Sequence, residues 1–433
     1  MSISQAVKNC ISKIEENRRL NAVIEVNPDA LTIAENLEKA PDKKGVLYGM
    51  PVLIKDNVNT GDKMRTAAGS LALAGNIAKE DAPAVKLLRE AGAVILGKAN
   101  MTEFANYMSD NKENRMPSGY SSRGGQTIHP IDPSVNPSGS SSGSAVAVAA
   151  GLCPMAVGSE TYGSIISPAQ RCGIVGLKPT DGLISKKGAI PISFTLDTLG
   201  PMARSVDEAG ALLSGLTGRQ YTVSGSITGL RLGLCRNFIE GEHPPWRTPD
   251  PEWLKASESL VNILKNLGAV CKPIENHNID DSFVRPIMRH EFQYAMNTYL
   301  STCQSPNVPK TLAEIIEYNE KHAATALKYD QNLLITASKI SENWKTEPEY
   351  VQALSDRNNA IADLDKYFDD NEIDLLFMLS ADYGLAAATG FPSITLPIGK
   401  TEKGVPIGCC FIGRRFGEES LLSVAKAVES ALA

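Results

Sequence analysis

Histidine is scarce in this chain. Five occur among 433 residues (His129, His243, His277, His290 and His322), with no H-x-x-x-H spacing and no Cys/His cluster. A preformed zinc site lacks ligands at usable spacing, so no metal and no cofactor are expected. The eight cysteines contain no C-x-x-C pair, and Cys409 adjoins Cys410, which favours reduced, buried thiols over a disulfide framework. A basic excess is also missing. Lys plus Arg total 43 against 49 Asp plus Glu, a net charge of -6, which argues against direct nucleic-acid binding. The most apolar run, Ala145 to Val157, is interrupted by Pro154 and too short to span a bilayer, and Met1 to Asn9 is polar. Neither a membrane span nor a secretion leader is expected, and the expected location is the cytoplasm.

What is present is an ordinary globular composition, 42% hydrophobic and 21% charged. Ile3, Val7, Cys10, Ile11 and Ile14 recur at helical spacing. Gly49 to Lys55 reads as a buried strand ending at a lysine. Asp81 is placed to cap a helix with Pro83 in its first turn, followed by an apolar strand, Ala93 to Leu96. Ser205 to Glu208 has the form of a reciprocal capping box. Alternating strands and helices predict an α/β fold, a single large domain with a mixed central sheet covered on both faces. Within 1–433, a core at about 45–220 precedes a mostly helical, substrate-pocket region at about 240–370, including Leu312 to Leu327. Strands and a last helix, Glu418 to Leu432, occupy 371–433.

Two small-residue turns stand out. Ser138 to Ser144, SGSSSGS, is anchored by Asn136-Pro137 before it and an alanine-rich run after it, unlike a free linker. As a phosphate loop it has Ser144 where the Walker pattern needs Lys. A second turn, Gly158 to Ile165, would present Ser164 after the amides of Thr161 to Gly163. Amides converging on one point can hold the oxyanion of acyl transfer. A serine needs a base. A Ser-His-Asp triad remains open, while Lys55 serves if burial lowers its pKa, its alternative being a lysine that reaches solvent. Ser423 and Lys426 form an S-x-x-K pair read as surface decoration.

These residues resemble the amidase signature family. Ser138 to Thr180 is similar to its Gly/Ser-rich signature, and Gly49 to Asn57 (GMPVLIKDN) to its lysine strand. Ser121 to Thr127 (SSRGGQT) and Gly188 to Val206 (GAIPISFTLDTLGPMARSV) are similar to the branch with bacterial peptide amidases. The resemblance implies Ser164 as acylated nucleophile, Ser140 as bridging serine after a cis Gly139–Ser140 bond, and Lys55 as base. It implies an oxyanion hole from Thr161, Tyr162, Gly163 and Ser164. Tyr162, Gly139 and Ser141 are expected to contact a peptide or small-molecule amide. The sequence departs from the wider family at Glu160, Tyr162 and Ile166, and near Ser380 to Ala388 it is shorter. An amide hydrolase is the first reading. A glutamine-hydrolysing amidotransferase subunit with a partner is the second, and an inactive binding protein on the same fold the third.

Overall fold

The computed structural model describes residues 1–235, 251–378 and 384–433. His243, Leu379 and the Ser380–Tyr383 stretch lie outside these residues. Among them, eleven strands form one mixed sheet. They are β1 (Val23–Val26), β2 (Pro51–Lys55), β3 (Val94–Ala99), β4 (Met155–Glu160), β5 (Val175–Lys178), β6 (Thr198–Ala203), β7 (Arg231–Cys235), β8 (Val270–Ile274), β9 (Leu375–Met378), β10 (Ser393–Lys400) and β11 (Pro406–Gly413). The spatial order is β1-β3-β2-β4-β6-β5-β10-β11-β9-β7-β8. β2 pairs in parallel with β3 and β4, and β7 with β8 and β9. The other neighbours are antiparallel.

The apolar run of β2 follows from burial on both faces. Val52 and Ile54 join a core that includes Leu88, Leu212 and Leu421. These come from α3 (Pro83–Glu90), α6 (Val206–Thr217) and the last helix, α11 (Glu418–Leu432). Leu53 points the other way, into a core with residues of α1 (Ile3–Glu16), α2 (Ala30–Lys39) and α4 (Ser142–Ala149). α4 buries Ser142 to Val148, as a helix apolar or small on every side must. Gly143 permits this, since a Cβ there would lie 2.3 Å from the Asn100 carbonyl oxygen and 2.4 Å from that of Ala22.

Local expectations need three corrections. Ala82, not Asp81, occupies the α3 cap position without a side-chain bond. The Asp81 carboxylate instead accepts from the Gly61 amide (2.8 Å) and Arg89 Nε (3.0 Å). The capping box at Ser205 is half formed. Ser205 Oγ accepts from the Glu208 amide at 3.2 Å, while the Glu208 carboxylate accepts from Arg204 at 2.9 Å. The helical stretch after Leu312 ends at Lys321, and Ala323–Ala326 forms a separate turn. His322 leaves helical geometry (φ -114°) with its ring stacked on Tyr318.

α7 (Pro251–Asn266) precedes β8, and a helical region between β8 and β9 contains α8 (Val284–Thr302), α9 (Leu312–Lys321) and α10 (Pro348–Asp370). Phe283, Val284 and Ile287 pack with Trp344 and Tyr350, and Tyr162 of the sheet side lies against this cluster. Among the described residues, no helix is long and apolar enough to cross a membrane.

Candidate active site

β2 and β4 run parallel in register, Val52 beside Met155 and Ile54 beside Val157, so their carboxyl ends finish together. Ligand sites of open α/β sheets sit at such ends. Lys55 closes β2 with its side chain fully buried. Its Nζ lies 2.8 Å from Ser140 Oγ, 2.9 Å from Ser141 Oγ and 3.0 Å from the Ser159 carbonyl oxygen. Burial lowers the Lys55 pKa to about 7, against smaller opposing effects of the Glu160 and Asp197 charges. Near neutrality the amine is therefore substantially uncharged.

The loop before α4 brings Ser140 to this amine. Its Gly139–Ser140 peptide bond is cis, and the Ser140 carbonyl accepts from the Thr102 amide at 3.0 Å. The Ser141 amide donates to the Ser164 carbonyl at 3.2 Å, tying the serine loop to the second turn. That turn is shorter than the sequence reading, because Gly158 to Glu160 belong to β4 and only Thr161 to Ile165 separate it from α5 (Ile166–Cys172). Gly163, at φ +89°, takes a left-handed conformation that glycine adopts without steric cost.

Two carboxylates brace the turn, Glu160, which the sequence reading noted, and Asp197, which that reading did not single out. Glu160 accepts from the amides of Ile165 (2.6 Å) and Ile166 (3.1 Å). A carboxylate at the first amides of a helix supplies acceptors those groups otherwise lack. Burial raises the Glu160 pKa, while Lys178 and the amides of Ile165, Ile166 and Gly163 act against this. Asp197 accepts from Thr161 Oγ1 at 2.6 Å and, through its other oxygen, from the amides of Ile192 (2.9 Å) and Ser193 (3.0 Å). It lies within the stretch Gly188 to Val206 quoted above, the one sequence signal that pointed near it.

Gly139, Tyr162 and Gly163 line a cavity of about 420 Å³ beside the two turns. The Tyr162 hydroxyl donates to the Asp281 carboxylate, joining this wall to the helical region. Ser141 requires correction as a substrate contact. Its side chain is fully buried and does not line this cavity. Its Oγ contacts Lys55, accepts from the Ser159 amide at 3.2 Å and donates to the Ser159 carbonyl at 3.1 Å. Ser423 and Lys426 stand apart on α11, bonded to Ser224 and to Asp207 and Glu429.

The amidase family profile matches residues 5–382. The chain belongs to the amidase signature family. As a member it is an amide-hydrolysing enzyme, and its fold is that of solved relatives. It is similar to native peptide amidase from Stenotrophomonas maltophilia, with a TM-score of 0.90 and 35% identity, covering 100% of this chain and 94% of that one. An Arabidopsis thaliana protein named as an amidase is 37% identical, covering 97% of this chain and 84% of its own. A glutamyl-tRNA(Gln) amidotransferase subunit of Deinococcus radiodurans is 30% identical, over 98% and 93% of the two chains.

Proposed function

We propose that this amidase cleaves the C–N bond of a primary amide, on a peptide C-terminus or a small molecule, through a Ser164 acyl-enzyme. Ser164 Oγ attacks the carbonyl carbon as its proton passes to Ser140, whose own proton passes to neutral Lys55. The observation that carries this reading is the buried contact between Lys55 Nζ and Ser140 Oγ. A neutral amine has two N–H groups and one lone pair, so one of its three contacts must donate to it. The Ser159 carbonyl can only accept. Ser141 already directs its hydroxyl hydrogen at that carbonyl, so it accepts from the amine. Ser140 is left as the donor to the lone pair, which is the direction a proton relay requires.

The oxyanion formed on attack is held by backbone amides from Thr161 to Ser164. Lys55 then returns its proton through Ser140 to the departing nitrogen, and ammonia leaves. Water, deprotonated by the same relay, attacks the ester carbonyl, releases the acid and regenerates Ser164. No cofactor enters. The likeness to peptide amidase over the whole chain supports an amidated peptide as substrate. The test is turnover of C-terminally amidated peptides with labelling by a fluorophosphonate. Ser164→Ala should lose both, with a rate loss of at least about 10⁴-fold and an unchanged circular dichroism spectrum. Labelling at another serine would reject the assignment.

The 30% identity to an amidotransferase subunit favours a second reading, glutamine hydrolysis that feeds ammonia to a partner. Glutaminase activity that appears only when a partner protein is added would establish it, and ammonia release from peptide amides by the isolated chain would count against it.

A further inference from the structure

We infer that the groove leading away from the Ser164 turn is built for an anionic acyl chain, so that amides of acidic peptides are preferred substrates. This rests on the reading of the site above and specifies its substrate. The cavity at Gly139 and Gly163 does not stop there. Ser118, Asn136, Ser138 and Ser167 line both it and a second cavity of about 300 Å³, which reaches Arg171 and Trp253. Shared walls make the two one trough, longer than a small primary amide needs.

The trough carries charge of one sign. Arg115 lines the inner cavity and Arg171 the outer one, both are exposed, and no Asp or Glu lines either cavity among the described residues. Neither arginine has an ion-pair partner among the described residues. Arg171 is oriented by donation from Nε to the Asn136 carbonyl at 3.3 Å, and Asp110, near Arg115 in sequence, lies 3.4 Å from Arg285. A cationic trough on a protein of net charge -6 is a local feature. Guanidinium groups pair well with carboxylates because their planar donors match both oxygens. The serine and asparagine side chains between them offer both donors and acceptors to a peptide backbone. Trp253 supplies an aromatic face at the outer end.

The test uses three N-acetylated tripeptide amides ending in alaninamide, with Glu-Glu, Gln-Gln or Lys-Lys before it, and reads ammonia release as kcat/KM. Glu-Glu should exceed Gln-Gln by about fivefold, the scale of partly exposed ion pairs, with Lys-Lys lowest. The Glu-Glu to Gln-Gln ratio should shrink at high salt and fall towards one in the Arg115→Gln, Arg171→Gln double variant. Equal rates for the three peptides, or a ratio unchanged in that variant, would overturn the inference while leaving amide hydrolysis intact. Turnover of small primary amides but of no peptide would also overturn it alone. Undiminished turnover by Ser164→Ala would instead remove the catalytic assignment. The kcat/KM ratio of the Glu-Glu and Gln-Gln peptides then still decides charge preference separately, equal rates counting against it.

Discussion

Lys55 Nζ and Ser140 Oγ lie 2.8 Å apart with no solvent exposure of either side chain. The amine can accept a proton only when neutral, and burial brings its pKa to about 7. For a neutral substrate, kcat/KM should therefore rise about tenfold per pH unit below that value and level off above it. Lys55→Met should lose this limb and about 10³-fold in rate, within the usual range for general acid–base catalysis. A pH–rate profile checks both. A Lys55→Met enzyme with the wild-type limb would end the proton route.

The bond between Tyr162 and Asp281 joins the Thr161–Ile165 turn to the helical region. Tyr162→Phe keeps the ring and removes the donor, and Asp281→Ala removes the acceptor. Each should raise KM for amide substrates by about three- to tenfold, in line with the net loss of one hydrogen bond, with a smaller change in kcat. The double variant should be no worse than the more impaired single one, because both delete the same contact. Additive losses in this cycle would show that the two residues act separately.

The architecture could be read from β2 because an apolar run ending in lysine has few places to go except a central strand with a buried end. α11, Glu418 to Leu432, was legible at about its observed bounds, since its apolar stripe is regular. The buried position of Lys55 was legible because an apolar strand leads straight into it. Among Ser140, Ser141 and Ser142 the residue types alone do not separate the hydroxyls, and it was the family resemblance that singled out Ser140, whose Oγ lies beside the amine together with that of Ser141. Asp281 lies 119 residues from Tyr162, and no local pattern marks it. Asp81 misled because an acidic residue before Pro83 fits a cap, while the ion pair with Arg89 two turns onward competes for the same carboxylate.

Glu160 separates structural support from electrostatics. Glu160→Ala strands the buried amides of Ile165 and Ile166, so it should cost about 2 to 4 kcal/mol of stability, measured by urea unfolding, and reduce kcat sharply. Glu160→Gln retains an acceptor oxygen and should lose less of both. Its charge, however, favours the ammonium form of Lys55. With that charge gone, the neutral amine persists to lower pH, so the rising limb of the Glu160→Gln profile should move to the acid side of the wild-type limb. A limb that stays in place would mean that Glu160 acts on this site only through the amides it holds.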